Sequence, residues 1–294
     1  MDTVKPAGIL LTSLLALLSS ISLSVEARPQ ATGERNMQAE RRVVRDIEKM
    51  LHGRVVYNFE KFDGANPPDV RPDPALIDRL YKSSNPDDIP KVVFVQLLGD
   101  AITDDDLLLL RDLRNLEGLA IRSRYVTDAG LQHIAHLKNL RNLWLVRANI
   151  TGPGLAHIVS MPELRSLNLG GAPITDHGIA LLRNHPSLRS LIVNSPHVTD
   201  EGVPHLAAIP QIENLSITGT SITGSGLRHL KSCEHLKGLS LDARQLTAVG
   251  ISNLKELHGL RDIWVNELYI KPEQERELLA ALPNLKINKW RLSL

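Results

Sequence analysis

Four histidines recur at multiples of 24 residues, at His133, His157, His205 and His229. Neutral imidazole is a common ligand of zinc, so neighbouring pairs such as His133 and His157 are candidates for sharing a metal ion. The surrounding pattern places each histidine on the outer side of a helix, and two ligands without a third group make a poor site. We therefore predict no metal site and no cofactor.

Other chemically reactive residues have structural explanations. Cys233 is the single cysteine, which excludes a disulfide within the chain and a cysteine-based zinc cluster, and its place in the pattern predicts a core position. Asp104, Asp105 and Asp106 stand at the start of a helix, where carboxylates interact favourably with the helix dipole. We find no phosphate-binding glycine loop, nucleophile motif or carboxylate pair in a catalytic frame, and we predict that the protein is not an enzyme.

The composition limits the classes of partner. The chain has 294 residues, 43% of them apolar but only 3% aromatic, and a formal net charge of +1. Binding to the phosphates of nucleic acid requires a strong excess of basic residues. Nucleic acid is therefore not an expected partner.

The elements that position these residues come from one repeated phrase. Residues 126–131 read Val-Thr-Asp-Ala-Gly-Leu, and closely similar phrases begin 48 and 72 residues later, at Ile174 and Val198. A pattern Leu-x-x-Leu-x-Leu precedes each phrase, and a period in the twenties of this kind predicts a stacked solenoid. Position 1 of the repeats falls at Val92, Leu116, Leu140, Leu164, Leu188, Ile212, Leu236 and Leu260.

Each repeat has the signals of one strand and one helix. Apolar residues at positions 4 and 6 alternate with period 2, which predicts a short strand with one buried face. Threonine at position 12 of the first seven repeats predicts a cap for the helix that follows. Glycine at position 15 of six repeats costs helix stability, so it indicates a tight approach between neighbouring repeats.

These signals predict an α/β right-handed solenoid with a parallel concave sheet, convex helices and a small helical N-terminal cap. Within the cap, Val55, Val56 and Tyr57 suit a short strand. The predicted segments are 1–27, a signal peptide or membrane anchor; 28–36, a flexible stalk; 37–91, the N-terminal cap; 92–283, about eight repeats of 24 residues; and 284–294, a C-terminal cap.

Residues 92–287 resemble a known family. The phrase Leu-x-x-Leu-x-Leu followed by Ile/Val-Thr-Asp-x-Gly-Leu-x-His-Leu is similar to leucine-rich repeats of the GALA or cysteine-containing type. Such repeats occur in F-box adaptors and in exported bacterial proteins, and the resemblance implies protein binding without a shared substrate. Position 9 departs from the family pattern, since only Thr220 fits it, and we expect irregular turns where the chain leaves the sheet.

The predicted concave face offers the best candidate binding site. Its positions 3, 5 and 7 are mostly small or polar, and a few apolar residues stand among them, as in interaction hot spots. Phe94 is expected to pack under the N-terminal cap. The candidate contact residues are Trp144, Ile192, Trp264, Asn168 and Asn194, together with a ladder of Arg141, Arg165 and Arg189 at position 2. The ladder suits either an acidic partner or a solvated edge.

The N-terminus has the features of an export signal. Lys5 precedes an apolar stretch over residues 7–25, and Val25 and Ala27 are small residues at the −3 and −1 positions of a cleavage site. The stretch is also near the minimum length for a membrane anchor. We predict an exported protein, located in the periplasm, on the cell surface or in the medium.

The favoured function is a non-enzymatic module that binds a protein, or alternatively a glycan, on the concave face. Two alternatives stay open. One is a structural protein that self-assembles in the cell envelope. The other is an F-box-like adaptor for ubiquitin ligation, because residues 73–77 and 85–89 resemble parts of an F-box. The sequence leaves the oligomeric state open.

Overall fold

The computed structural model describes residues 42, 54–57, 92–99, 102–266 and 268–290. The predicted signal segment, stalk, cap helices and F-box-like segments lie outside these residues. Within them, ten strands form one sheet in chain order. The strands are β1 (Arg54–Tyr57), β2 (Val92–Leu98), β3 (Gly118–Arg122), β4 (Asn142–Val146), β5 (Ser166–Gly170), β6 (Ser190–Asn194), β7 (Asn214–Ser216), β8 (Gly238–Leu241), β9 (Asp262–Asn266) and β10 (Lys286–Trp290).

Strands β2 to β10 are parallel and pair in the register of the 24-residue repeat. Leu119 lies beside Leu143, for example, and Leu167 lies beside Leu191. The apolar residues at positions 4 and 6 are buried in all eight repeats, because successive side chains of a strand point to opposite faces. The α/β solenoid predicted from the sequence is therefore confirmed. The strand expected at residues 55–57 is also present, as β1, which pairs antiparallel with β2.

Helical segments cover the buried side of the sheet. Apolar residues at positions 16 and 19, such as Leu131 and Ile134, are fully buried there. Several segments span only one turn, and two are 3₁₀ helices. The α-helices are Leu131–Ile134, Leu155–Ile158, Asp176–Leu182, Val203–Ala207, Ala248–Lys255 and Pro272–Ala281, and the 3₁₀ helices are Asp105–Asp112 and Gly226–Ser232.

A carboxylate at position 13 ties four of the repeats to the next one. Asp200 accepts hydrogen bonds from the backbone N–H and the hydroxyl of Thr223, both at 2.7 Å. Asp104 and Asp176 hold the threonine of the following repeat in the same way. Asp128 also accepts from the N–H groups of two glycines of the next repeat. Hydrogen bonds to a charged group are stronger than neutral ones, so these contacts clamp neighbouring repeats together.

The threonine has a second role where position 13 of the preceding repeat is glycine. Thr175 follows Gly152 by one repeat, and its hydroxyl accepts a hydrogen bond from the N–H of Gly178. Thr247, one repeat after Gly224, caps its helix in the same manner. These two threonines begin the helices Asp176–Leu182 and Ala248–Lys255, which are longer than the one-turn helices elsewhere. The predicted capping by threonine is confirmed most fully where no carboxylate engages its hydroxyl.

Glycine at position 15 lies against the preceding repeat, as predicted. A β-carbon on Gly154 would lie 2.5 Å from the carbonyl oxygen and 2.7 Å from the Cα of Asp128. β-Carbons on Gly130, Gly202 and Gly226 would collide with the carboxylate of the preceding repeat. Only a residue without a side chain fits where the carboxylates draw the repeats together.

The turns after the strands differ between repeats, which confirms the expected irregularity. At position 8, Arg147, Gly171 and Gly219 have left-handed backbones with φ of 58°, 76° and 71°. In two other repeats the residue is a buried serine, Ser123 or Ser195, whose hydroxyl donates to a carbonyl of the preceding repeat. A buried hydroxyl needs such a partner, and this hydrogen bond connects each serine turn to the preceding repeat.

The last strand ends the apolar pattern of the sheet. Lys289 on β10 pairs with Val265, so it continues the row of buried apolar residues at position 6 with a charged side chain. Its ammonium group contacts the carboxylate of Glu275 at 2.6 Å. A charge on the core side of a terminal strand disfavours pairing with another sheet.

We predict that Gly154→Ala destabilises the protein by about 1–3 kcal/mol, because the new methyl group overlaps backbone atoms that cannot rotate away. Urea unfolding followed by circular dichroism measures the loss. Gly170→Ala is the control, since its nearest obstacle is a side-chain atom, the oxygen of Asn168 at 3.0 Å, and not the backbone of another repeat. Equal losses in the two variants would contradict a backbone collision between repeats.

We predict that Asp128→Ala lowers the free energy of unfolding by about 2 kcal/mol, because it leaves up to four donors of the next repeat without their acceptor. The matched control is Asp105→Ala, which removes an exposed carboxylate one repeat earlier. The same urea titration separates the two. An equally small effect for both changes would mean that the clamp contributes little.

Candidate binding face

The open face of the sheet consists of the side chains at positions 3, 5 and 7, which point away from the buried positions 4 and 6. Strand register aligns position 5 in one row across the sheet. Trp144, Asn168 and Ile192 are neighbours in this row on β4, β5 and β6. Trp264 stands three strands further along, on β9. The sheet therefore brings four of the predicted contact residues into a single line.

Trp144 is partly a packing residue. Its ring stands edge-on to Phe94 with 6.2 Å between ring centroids, and Ala120 completes this small apolar cluster. Phe94 is fully buried although it lies on the open-face side of β2. Trp144 itself is half-buried. Aromatic pairs of this kind add to stability beyond the area that they bury, so Trp144 supports the first strands of the sheet.

Ile192 and Trp264 are the more accessible apolar residues of the row. Ile192 is 36% exposed and Trp264 is 37% exposed. The Trp264 ring lies over Gly238 of the adjacent strand, where an added β-carbon would come within 2.9 Å of the ring. The missing side chain at residue 238 thus lets the indole lie along the sheet.

The polar candidates differ in how free their side chains are. The Asn168 side-chain oxygen accepts a hydrogen bond from the N–H of Gly170 at 2.8 Å, so one of its groups is already engaged. The Asn194 side chain is exposed and lies beside Gly219 of the next repeat. Asn168 is fixed in orientation by this contact, whereas Asn194 is open to solvent.

The centre of the open face has no ionisable side chain among the described positions of β4 to β7. The surface there consists of amides, hydroxyls, one glycine and a few apolar groups. These residues are Asn142, Trp144, Val146, Ser166, Asn168, Gly170, Ser190, Ile192, Asn194, Asn214 and Ser216.

The arginine ladder at position 2 is largely neutralised. Arg141 pairs with Glu117 at 2.8 Å, and Arg189 pairs with Glu213 at 2.6 Å. Lys237 also contacts Glu213, and its hydrogen bond is the main reason why the pKa of Glu213 is lowered. Arg165 has no ion pair within the described residues and is exposed. Sequence reasoning considered the arginines alone and missed the two glutamates, which occupy the same position in neighbouring repeats.

The other reactive residues lie away from this face. Cys233 is only partly buried, in contrast to the predicted core position, because it ends the Gly226–Ser232 helix beside a small cavity of about 130 Å³. Burial raises the pKa of its thiol to about 11, and a protonated thiol is a poor nucleophile. No three His, Cys, Asp or Glu side chains come together as a possible metal site in the described part of the chain.

Sequence reasoning also missed His185. The signal for it is a single histidine in a row of otherwise apolar or thiol side chains at position 22, next to Met161 and Ile209. It is fully buried.

Among the residues that the structure describes, no helix combines the length and apolar character needed to cross a bilayer.

The fold that these repeats build is the open leucine-rich repeat solenoid. A similar solved structure is an internalin (inlF) of Listeria monocytogenes, with 21% identity over 74% of this chain and 68% of that chain and a TM-score of 0.47. Internalin C2 (inlC2) of the same species has 20% identity over 74% and 94% of the two chains, with a TM-score of 0.49.

A leucine-rich repeat protein of Leptospira interrogans is similar at 17% identity over 62% of this chain and 50% of that chain, with a TM-score of 0.43. No protein-family model matches the chain, and no curated protein matches it. The assignment to this class of fold rests on the 24-residue register of the chain's own sheet.

We predict that the two tryptophans of the row differ in their effect on stability. Trp144→Ala should cost about 2–3 kcal/mol because it removes the ring contact with Phe94 and leaves a void. Trp264→Ala should cost less than Trp144→Ala, since more than one third of the Trp264 side chain is exposed. Thermal and urea unfolding of both variants measure the difference, and equal costs would show that Trp264 is also a structural residue.

Proposed function

We propose that the protein is a non-enzymatic binding module whose partner is a protein that docks on the open face of the sheet. The observation that carries the proposal is the row at position 5. Two apolar side chains, Ile192 and Trp264, remain more than one third exposed there among small uncharged residues. Such apolar anchors within a polar field are typical of interaction hot spots.

The strands that carry the two apolar anchors are already ordered before a partner binds. Each anchor stands on a strand that is hydrogen-bonded on both sides, and the strand spacing of about 4.8 Å places Ile192 and Trp264 roughly 14 Å apart. Little conformational entropy is lost when a partner meets a surface that is already ordered. The span suits a contact area on a folded protein.

The partner surface is expected to be uncharged where it meets β4 to β7. A charge buried against this face would lose its hydration and find no opposite charge in return. Arg165 at the margin forms no ion pair with another described residue, so it is the arginine of the ladder best able to contact an acidic group of the partner. Trp144, Asn168, Asn194, Arg141 and Arg189 complete the proposed contact surface.

We also propose that the protein is exported. This rests on the apolar stretch over residues 7–25 and on the small residues Val25 and Ala27 before the possible cleavage site. The partner would then be a protein of the cell envelope or of the surroundings.

We predict that Ile192→Glu combined with Trp264→Glu abolishes capture of the partner. Immobilised protein of residues 28–294 is incubated with envelope and culture-fluid extracts, and retained proteins are identified by mass spectrometry. Two carboxylates on the row should weaken a specific complex by at least about a hundredfold, because hot-spot losses commonly exceed 2 kcal/mol.

The matched control carries the same charge change on the helical side, at Val249→Glu with Leu279→Glu, both of which are exposed apolar residues. A protein held by the parent and the control but lost by the open-face variant supports the proposal. The proposal is contradicted if all three proteins retain the same partner, or if none of them retains any protein. A retained glycan without protein would replace the proposed partner class.

A further inference from the structure

His185 occupies a core position that other repeats fill with apolar or thiol side chains. Position 22 lies between the helical segment and the next strand, and it is buried in most repeats. His185 is fully buried between Met161 of the preceding repeat and Ile209 of the following one. The residues at this position are Leu113, Leu137, Met161, His185, Ile209, Cys233 and Leu257.

The hydrogen bonds of the ring define its neutral form. Nδ1 accepts a long hydrogen bond from the backbone N–H of Ser187 at 3.4 Å, so the proton of the neutral ring belongs on Nε2. Nε2 is the one buried side-chain nitrogen or oxygen without a hydrogen-bond partner among the described residues. An unsatisfied buried polar atom is rare in proteins and calls for an explanation.

Burial lowers the pKa of His185, and the nearby carbonyl of Ile158 opposes this shift only in part. The ionisable side chains on residues 155–163, 176–189 and 203–212 are, besides His185, His157, Glu163, Asp176, His177, Arg183, Arg189 and His205. None of them is a cause of the shift. Desolvation by burial therefore favours the neutral ring, and no neighbouring charge stabilises the protonated form.

The segment that holds His185 leads directly into β6. Ser187 donates from its hydroxyl to the carbonyl of Leu164 at 3.1 Å. The N–H groups of Arg189 and Ser190 then donate to the carbonyl of Arg165, at 2.8 and 2.9 Å. These bonds attach the start of β6 to the preceding repeat, and β6 bears Ile192.

We propose that protonation of His185 on acidification opens the segment 185–189 and loosens β6, so that the open face is acid-sensitive at its centre. A proton on Nδ1 replaces the acceptor of the Ser187 N–H with a second donor, and the two donors repel. The charged ring then gains hydration only if the segment moves. This inference about the face as a binding surface rests on the proposed function, whereas the acid-sensitivity of β6 does not.

The direction of the pH effect follows from the shift. Above the unfolded pKa of about 6.5, the ring is neutral in both states and contributes nothing. As the pH falls through that value, the unfolded chain binds a proton that the folded chain refuses, so stability is lost until the lowered folded pKa is reached. For each pKa unit by which folding lowers the pKa of His185, acidification raises the unfolding constant by up to about tenfold.

The test compares urea unfolding of the parent, His185→Met and His157→Gln at about pH 7.5 and about pH 5, on either side of the ordinary histidine pKa. Methionine is chosen because Met161 fills the same position one repeat earlier. We expect the midpoint of His185→Met to fall less on acidification than that of the parent. His157 is exposed on the preceding repeat, so His157→Gln should behave like the parent.

A second measurement does not depend on the variant folding. Amide hydrogen exchange of the parent should show that the protection of Ser190–Asn194 falls more on acidification than that of Asn142–Val146. The proposal is overturned if parent and His185→Met lose stability equally and β6 keeps its protection. Capture of the open-face partner at both pH values tests the link to binding, and a missing partner at both would count against the proposed function alone.

Discussion

A carboxylate that reaches from one repeat to the threonine of the next holds this solenoid together at four of its joints. Asp104, Asp128, Asp176 and Asp200 each bind the N–H and the hydroxyl of the following threonine at 2.6–2.9 Å. At these four joints the carboxylate leaves no room for a side chain at position 15, whereas Gly178 and Gly250 lie against the backbone of Gly152 and Gly224. Three of these threonine hydroxyls also accept a hydrogen bond from the backbone N–H two residues on, at 3.2 Å. The same hydroxyl therefore joins two repeats and caps the start of the helical side of its own repeat.

Close joining on the helical side keeps the sheet in strict register, and this register gives the open face its character. Side chains 24 residues apart become neighbours in a row, so a change in one repeat alters one point of the surface. Small residues allow large ones to lie flat, as Gly238 does for Trp264. Fixed anchors of this kind favour recognition by shape, since the central strands offer no charge to attract a partner from a distance.

The periodic features were predictable from the sequence, and the features that depend on single contacts were not. Repetition identified the strands, the capping threonines and the close approach at glycine. The role of Asp128 was hidden because its partner lies one repeat later, and an aspartate at a helix start already had a local explanation. The burial of Trp144 depends on Phe94 two strands away, and the neutralisation of Arg189 depends on Glu213. His185 was not predicted, because it belongs to no repeated histidine pattern and its burial is not visible in the sequence.

Within the described residues, the first and last strands of the sheet differ from the interior strands. β1 runs antiparallel against the first parallel strand, and Lys289 places a charge where an added strand would need an apolar residue. The interior units resemble one another, whereas the ends do not. Duplication or deletion of a single interior unit would therefore change the reach of the surface by about 4.8 Å and leave both terminating structures intact. The area of the open face can therefore change in steps of one repeat.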